Sequence, residues 1–519
     1  MMDMEYNRTS PFISNCLHYS SEFHPYVGEF RYICIQPKNV KMDNRIAVTG
    51  ILCLGMGGIC TAYAQQTKPN VVFILADDLG YGDLGCYGQE KFATPNIDRL
   101  AQEGMRFTQC YSGTTVSAPS RSCLLTGMHS GHTYIRGNIE LEPEGQFPMP
   151  ADARTFFHAF KDAGYKTAAF GKWGLGLVGT TGDPQAQGCD TFYGYNCQLL
   201  AHSYYPDHLW DNDRRVDLKD NVLEVQYGRG QYAPDLIHAK ALEYLDGMSA
   251  DEPFFMWYPT ILPHAELIVP EDSIIQKFRG KFPEKAYKGA EPGSRSFRHG
   301  GYCTQLYPHA TFAAMVTRLD VYVGQIVEKL KEKGLYDNTI IIFASDNGPH
   351  CEGGADPDFF NSNGIYRGYK RDLYEGGIRV PMIISWPGRV PQGCETDFMC
   401  AFWDMLPTFR EIIDPKSKPA RGEDGVSLLP LLTGKKGQKE HEYLYFEFQE
   451  LDGRQAVRKG KWKLVRMDVR KDGGRYELYN IAADPSEKHD VINEHPDVAS
   501  ELKAIMQSAH TDNPNFPLM

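Results

Sequence analysis

Short runs of consecutive apolar residues alternate along the chain with stretches of helical periodicity. The apolar runs have the length and composition of strands buried on both faces of a sheet. They lie at 71–76, 167–170, 253–258 and 340–344. Between and around them, apolar residues recur at helical spacing in 96–103, 154–163 and 310–332. Strands that alternate with helices predict an α/β architecture, a mostly parallel sheet sandwiched by helices.

The pattern changes at 415–423, where the composition becomes polar and contains proline, as is typical of a linker. Strand-like runs follow at 442–448, 455–458 and 462–466, and a last helix is predicted over 496–508. A chain of 519 residues exceeds the size of most single cores. We therefore predict a large domain over 68–415 and a smaller α+β domain over 424–519.

The N-terminal segment has the features of an export signal. Met42-Asp43-Asn44-Arg45 precedes an apolar, glycine-rich stretch, and Ala62-Tyr63-Ala64 supplies a small-x-small cleavage pattern. The stretch is too short to span a membrane stably, so no membrane span is expected in the mature chain. We predict a signal peptide over 42–64, an extension of doubtful origin over 1–41, and a periplasmic or secreted enzyme or binding protein. Cys60 leaves a lipoprotein as an alternative, although Ile59 before it is a poor fit.

Net charge and cysteine content argue against two classes of protein, nucleic-acid-binding proteins and small disulfide-stabilised scaffolds. A net charge of −12 argues against a nucleic-acid-binding protein, which usually presents a basic face. Nine of the 13 cysteines follow the predicted cleavage, and their odd number and irregular spacing do not indicate a disulfide scaffold. We expect most of them to be small buried hydrophobes.

Polar residues follow the two longest apolar strands directly. The run at 71–76 ends in Asp77-Asp78, and the run at 340–344 is followed by Ser345 and Asp346-Asn347. Ligands of open α/β sheets bind beyond the carboxyl ends of the strands, where these side chains would meet. Adjacent carboxylates repel unless a cation intervenes, and oxygen ligands favour Ca²⁺ or Mg²⁺. Helix or turn capping is the alternative for either pair alone.

A further motif adds a candidate reactive site. It is the run Ser117-Ala118-Pro119-Ser120-Arg121, which continues to Leu124-Leu125-Thr126-Gly127. Pro119 suits the first position of a helix, and Gly127 is a typical stop, so a short helix is predicted over 120–126. Residue 117 would lie just before that helix, where free N–H groups and the helix dipole favour a bound anion. An ordinary loop-to-helix junction is the alternative.

Three further basic or titratable residues follow strand ends or a glycine-rich stretch. Lys172 follows the run at 167–170, and His264 lies in the loop after 253–258. Lys370 lies in the glycine-rich basic stretch 367–381. Each residue type is more often solvated or structural, but their positions favour a binding role.

These motifs, in this order, resemble the formylglycine-dependent sulfatase family over nearly all of 68–490. The resemblance implies an alkaline-phosphatase-like α/β core and a smaller C-terminal domain with a short antiparallel sheet. It implies Ca²⁺ as cofactor, bound by Asp77, Asp78, Asp346, Asn347 and residue 117. It also implies that Arg121 stabilises the aldehyde hydrate, and that Lys172, His264 and Lys370 hold the sulfate and its bridging oxygen.

The same resemblance implies that Ser117 is oxidised after translation to formylglycine (3-oxoalanine), which acts as the nucleophile. A Ser-accepting, radical-type sulfatase-maturating enzyme would carry out that step before export. The family usually has a histidine two residues after the strand-end lysine, where this chain has Gly174. We expect His202 to replace that histidine from a nearby loop, with sugar binding or packing as alternatives.

The resemblance favours a sulfated carbohydrate as substrate, such as galactose or N-acetylgalactosamine bearing sulfate. The aromatic segment Tyr204, Tyr205, His208 and Trp210 suits a sugar ring, although core packing is the commoner use of such residues. Two other functions stay open. One is a phosphodiesterase or phosphatase of the same superfamily, which would need more histidine and aspartate ligands for two zinc ions. The other is a non-catalytic glycan-binding relic, which Gly174 alone supports.

Overall fold

The computed structural model describes residues 68–142, 144–221, 230–290, 301–416 and 422–519. The signal peptide, the extension and Cys60 lie outside these residues, as does most of the predicted linker. The described residues belong to one compact unit, Ala64–Met519. No helix among them is long and apolar enough to cross a membrane. Six of their nine cysteines are buried, in line with the expectation that most are small buried hydrophobes.

Eleven strands form the larger sheet. They are β1 (Asn70–Ala76), β2 (Met105–Tyr111), β3 (Lys166–Lys172), β4 (Thr191–Tyr195), β5 (His208–Asp211), β6 (Arg214–Asp217), β7 (Phe254–Pro259), β8 (Thr339–Ser345), β9 (Arg379–Ser385), β10 (Cys394–Thr396) and β11 (Cys400–Ala401). Their order is β10-β2-β9-β8-β1-β7-β3-β4-β5-β6, and β11 pairs with β2. The five central strands, β8 to β4 in that order, are mutually parallel, so their carboxyl ends meet at one edge.

Helices cover both faces of this sheet. The helices are α1 (Pro95–Gln102), α2 (Ser117–Thr126), α3 (Phe156–Asp162), α4 (Ala233–Asp246), α5 (Ser273–Gln276), α6 (Pro308–Glu332), α7 (Pro357–Phe360), α8 (Glu375–Ile378), α9 (Met405–Ile413), α10 (Leu429–Leu432) and α11 (Pro496–Ser508). Alternate residues of β1 enter different cores: Val72 packs in the core that contains α4 and α6, and Phe73 in the core that contains α3 and α9. The predicted α/β sandwich is confirmed.

A smaller antiparallel sheet follows, in the order β12 (Leu444–Phe448), β13 (Arg454–Lys459), β14 (Trp462–Met467) and β15 (Arg475–Asn480). One face packs against α11 through residues such as Leu464 and Leu502. The other face packs against the larger sheet's elements through residues such as Phe446 and Trp403. The predicted short antiparallel sheet in the C-terminal region is therefore confirmed.

Candidate active site

Helix α2 carries the candidate nucleophile at its first residue. The preceding Val116 is extended, and Gly127, with φ of 69°, ends the helix. The prediction that residue 117 lies just before the helix is wrong, because the helix begins at Ser117 and Pro119 falls inside its first turn. Proline is tolerated there because the first-turn N–H groups have no acceptor within the helix. Ser117 Oγ donates to Asp77 Oδ1 across 2.8 Å.

The acidic residues predicted at the ends of β1 and β8 meet beside Ser117. Backbone N–H of Asp78 donates to Asp346 Oδ1 (3.1 Å), and Asn347 Nδ2 donates to Asp78 Oδ1 (2.6 Å). All four side chains are buried. Asp78 has φ of 60°, a strained left-handed conformation that is typical of functional sites when the residue is not glycine. The parallel register of β1 and β8, which pairs Ala76 with Ser345, produces this juxtaposition.

Three buried cationic side chains face this acidic group. Arg121 donates through Nε and Nη2 to Asp346 Oδ2, at 3.1 and 2.9 Å. Lys172 Nζ lies 2.7 Å from Asp77 Oδ2 and 3.3 Å from Ser117 Oγ.

The third cation is Lys370, which comes from the loop between β8 and β9. Its Nζ lies 2.8 Å from Asp78 Oδ2 and 2.9 Å from His264 Nε2. The structure thus brings together every residue predicted for the nucleophile, the sulfate and the cation.

The charges of these groups perturb one another. Burial alone would raise the pKa of Asp77, but Lys172, His264 and Arg121 hold the pKa well below its usual value. Burial, together with the charge of Asp77, raises the pKa of Asp346 to about 7. Burial lowers the pKa of the Lys172 ammonium. The acidic and basic side chains of the site therefore shift one another's pKa values.

Two histidines stack in the pocket. The rings of His202 and His264 lie 5.1 Å apart at 9°. His264 Nδ1 bonds the Ala265 carbonyl, so Nδ1 carries the hydrogen and Nε2 accepts from Lys370. His202 Nδ1 is buried and has no hydrogen-bond partner within the described ranges. Burial, followed by the charge of Lys172, lowers the pKa of His202 to about 3, and burial and Lys370 lower that of His264. Burial therefore favours the neutral form of both rings.

The donor set fits a hard divalent cation. Carboxylate and amide oxygens converge from Asp77, Asp78, Asp346 and Asn347, and these are the ligands that Ca²⁺ prefers. Asn347 Oδ1 is buried and lacks a hydrogen-bond partner among the residues that the structure describes, although its Nδ2 is bonded. A cation is the natural partner for an orphaned oxygen in such a group.

At Gly174, where the family has histidine, the backbone is left-handed and the amide of Gln198 occupies the space that a side chain would enter. Gly174 has φ of 72°, and a Cβ built on it would lie 2.4 Å from Gln198 Nε2. Sequence reasoning missed Gln198 and its neighbours Asn196 and Gln146, all buried amides at this edge of the sheet. The residues around a loop glutamine do not indicate that it belongs to a site, because only the folded chain brings Gln198 beside β3.

The aromatic segment after β4 is used for packing. Tyr204 and Tyr205 are buried in the core, and Tyr204 donates to the carbonyls of Ile261 and His264. Tyr204 thereby supports the loop that carries His264. The expectation that Tyr204 and Tyr205 face a sugar ring is not met.

Comparison with known proteins agrees with this geometry. The family model described as Sulfatase matches residues 69–412, and the model described as N-sulphoglucosamine sulphohydrolase, C-terminal, matches residues 364–512. The chain is 30% identical over 499 residues to an N-acetylgalactosamine-6-O-sulfatase of Bacteroides thetaiotaomicron, covering 86% of this chain and 94% of that protein. It is 29% identical over 492 residues to arylsulfatase A of Homo sapiens, covering 86% and 89% of the two chains. Among solved structures, Ps i-CgsB in complex with k-i-k-neocarrahexaose has a TM-score of 0.69 at 27% identity, covering 85% and 92%.

Proposed function

The chain belongs to the sulfatase family and is a sulfuric ester hydrolase, and on that premise we propose that it removes sulfate from the end of sulfated carbohydrate chains. The sugar we propose is galactose or N-acetylgalactosamine, in keeping with the relative that acts as an N-acetylgalactosamine-6-O-sulfatase. The observation that carries the proposal is the position of Ser117 Oγ, between a buried carboxylate and a buried ammonium. From the signal at 42–64 we further propose a periplasmic or secreted location.

We propose that Ser117 is converted to formylglycine. The conversion removes two hydrogens, with their electrons, from the Ser117 Cβ–OH group, and a Ser-accepting sulfatase-maturating enzyme of the radical type is the proposed acceptor. Formylglycine and Ca²⁺ together supply a hydrated aldehyde held in an electropositive site.

The charges of the site support a sulfate ester as ligand. The three carboxylates and three cationic side chains balance each other, so a divalent cation held by Asp77, Asp78, Asp346 and Asn347 would leave a net positive pocket. Lys172 and Lys370 are the side chains placed to bind the sulfuryl oxygens, and Arg121 holds Asp346 in place. Preorganised donors of this kind stabilise the charge that develops during transfer.

We propose that the Lys370–His264 pair delivers the proton to the departing sugar oxygen. Lys370 Nζ donates to His264 Nε2 across 2.9 Å, and the ammonium is the member of the pair that carries the proton to be delivered. Asp78, 2.8 Å from Lys370 Nζ, holds the ammonium in position.

His202 is our candidate for the base that the family places at position 174. Its ring stacks on His264, burial favours its neutral form, and its Nδ1 has no hydrogen-bond partner among the residues described. The amide of Gln198 takes the space at Gly174 but is not a base. Replacing His202 by alanine should lower turnover by about 10²- to 10⁴-fold if the ring acts in proton transfer, whereas near-normal turnover would remove it from the chemistry.

The two alternative functions are less well supported. A phosphatase with two zinc ions needs a second metal position near Asp78, His350 and Glu352, whose ligand atoms do approach one another. Lys370 Nζ lies 2.8 Å from Asp78 Oδ2 and 4.0 Å from Glu352 Oε2, so its ammonium already pairs with two of these three residues. A non-catalytic relic would have no reason to keep the nucleophile, three cations and a cation site together.

Sulfate release tests the proposal. The protein should be produced with and without a Ser-accepting maturation system and assayed on 6-sulfated N-acetylgalactosamine, on sulfated galactose and on a phosphodiester. We expect sulfate release only from matured protein, its loss on chelation and its return with calcium. Ser117→Ala should abolish it. Phosphodiesterase activity that depends on zinc and not on maturation would contradict the proposal.

A further inference from the structure

Three buried side-chain amides at the carboxyl edge of the sheet carry polar atoms that have no hydrogen-bond partner among the described residues. Asn196 is 0% exposed and Gln198 3% exposed, and Gln146 is equally buried. Both polar side-chain atoms of Asn196, and Nε2 of Gln198 and of Gln146, have no partner in the described part of the chain. Gln146 Oε1 accepts from the backbone N–H of Gln198 at 3.2 Å.

An unpaired buried amide is costly, because it has given up its hydrogen bonds to water without replacing them. Native structures keep few such groups, and a bound ligand is one of the partners that satisfies them at a functional site. The same condition, buried and unpartnered, applies to Asn347 Oδ1 in the proposed cation site. The amides are therefore placed to receive a ligand of the same pocket.

Their place in the fold identifies that pocket. Strands β3 and β4 are parallel and pair Lys172 with Tyr195, and the N–H of Gly174 donates to the carbonyl of Asn196 (2.8 Å). Gln198 Nε2 lies where a side chain on residue 174 would begin, two residues beyond Lys172.

The same segment continues to His202, whose ring stacks on His264. Residues 196–202 thus run from beside the strand that carries Lys172 to His202, whose ring stacks on the histidine of the pair proposed to protonate the leaving oxygen.

We propose that Gln198, supported by Asn196 and Gln146, recognises an uncharged polar substituent of the sugar that carries the sulfate. The inference rests on the proposed function and adds a specificity-determining residue to it. Carboxamides are uncharged and carry both donors and acceptors, so they suit a hydroxyl or an acetamido group. The sulfate itself already has Lys172 and Lys370 as partners.

A specificity experiment tests this inference. Gln198→Met keeps the length of the side chain and removes its hydrogen bonds. Its kcat/KM on 6-sulfated N-acetylgalactosamine or sulfated galactose should fall about 10- to 100-fold, while kcat/KM on 4-nitrophenyl sulfate, which has no sugar, stays within about threefold.

The matched control is Gln187→Met, another buried glutamine, whose Nε2 donates to the carbonyls of Pro150 and Thr181. It should change the two activities equally or not at all. Equal losses on both substrates in Gln198→Met would overturn the inference, as would an unchanged activity on the sugar.

Substrate analogues give a readout that does not depend on the folding of a variant. Wild-type enzyme should lose about 10- to 100-fold in kcat/KM on the one deoxy or deacetylated sugar that lacks the recognised group. Gln198→Met should lose nothing further on that analogue. If no analogue is discriminated, the inference is overturned while the proposed function stands. If matured wild type hydrolyses neither sulfated sugars nor the aryl sulfate, the proposed function itself fails.

Discussion

Replacing Lys172 by methionine removes one charge from the centre of the site and keeps the length of the side chain. The ammonium lies 2.7 Å from Asp77 and 3.3 Å from Ser117, and its side chain is 1% exposed. Losing one preorganised donor of this kind lowers kcat about 10²- to 10³-fold, which corresponds to about 3–4 kcal/mol in the barrier. We expect Lys172→Met to fall in that range on any sulfate ester.

The same change leaves Asp77 buried without its closest cation. Removing one partner of a buried ion pair costs about 3–5 kcal/mol, so the free energy of unfolding should fall by an amount of that order in calcium-free buffer. Calcium should restore part of it, because a divalent cation in the proposed site would neutralise Asp77 again.

Lys166→Met is the matched control on the same strand. Lys166 pairs with Glu252 at 2.6 Å, but both side chains are about half exposed. Exposed pairs contribute about 0–1 kcal/mol, so stability and kcat should both stay near wild type. The assays are steady-state sulfate release and urea unfolding with and without calcium. A Lys172→Met enzyme with kcat within threefold of wild type would refute the role of this lysine.

Three further expectations concern stability, pH and metal. Lys463→Met should lower the free energy of unfolding by about 3–5 kcal/mol, because Lys463 Nζ lies 3.0 Å from Glu375 and 2.9 Å from Glu487 in the interior; unchanged urea unfolding would contradict this. Burial lowers the pKa of His238 from 6.5 to about 4, so the unfolded chain takes up the proton first and stability falls as the pH drops through that window. His238→Gln should therefore lose about 2 kcal/mol less than wild type between pH 7 and pH 5, and parallel stability curves would reject the assignment. Asp346→Asn should raise the calcium concentration for half-maximal activity about 10- to 100-fold; an unchanged calcium dependence would remove Asp346 from the cation site.

The sequence was most informative where strands are buried on both faces. The run predicted at 71–76 is observed as Asn70–Ala76, and that at 340–344 as Thr339–Ser345. Each run is continuously apolar and is followed by acidic residues, so the sequence predicts both the length of the strand and the polar residues at its end. The parallel pairing then brings the two ends together.

Strand β9 was missed because its sequence starts inside a basic, glycine-rich stretch and contains Pro381. The structure shows why proline is tolerated: the pairing of β9 with β2 shifts between Phe107 and Cys110, next to Pro381. An irregularity of this kind needs no N–H from that residue. The predicted start of α2 is also wrong because of a proline. Pro119 was placed at the first helical position, whereas the helix begins two residues earlier, at Ser117.

Contacts between distant residues could not be predicted from local patterns. Nothing near Lys370 in the chain indicates that it bonds His264, 106 residues away. The sequence around Gln198 likewise does not indicate that its amide is buried beside β3, because that position depends on the pairing of β3 with β4.

The mass of the peptide that contains residue 117, measured on enzyme with full sulfatase activity, tests the central claim most directly. We expect it to be about 2 Da below the serine form, or about 16 Da above it as the aldehyde hydrate. Fully active enzyme that carries an unmodified serine at this position would contradict the claim that an oxidised side chain beside the acidic strand ends performs the hydrolysis.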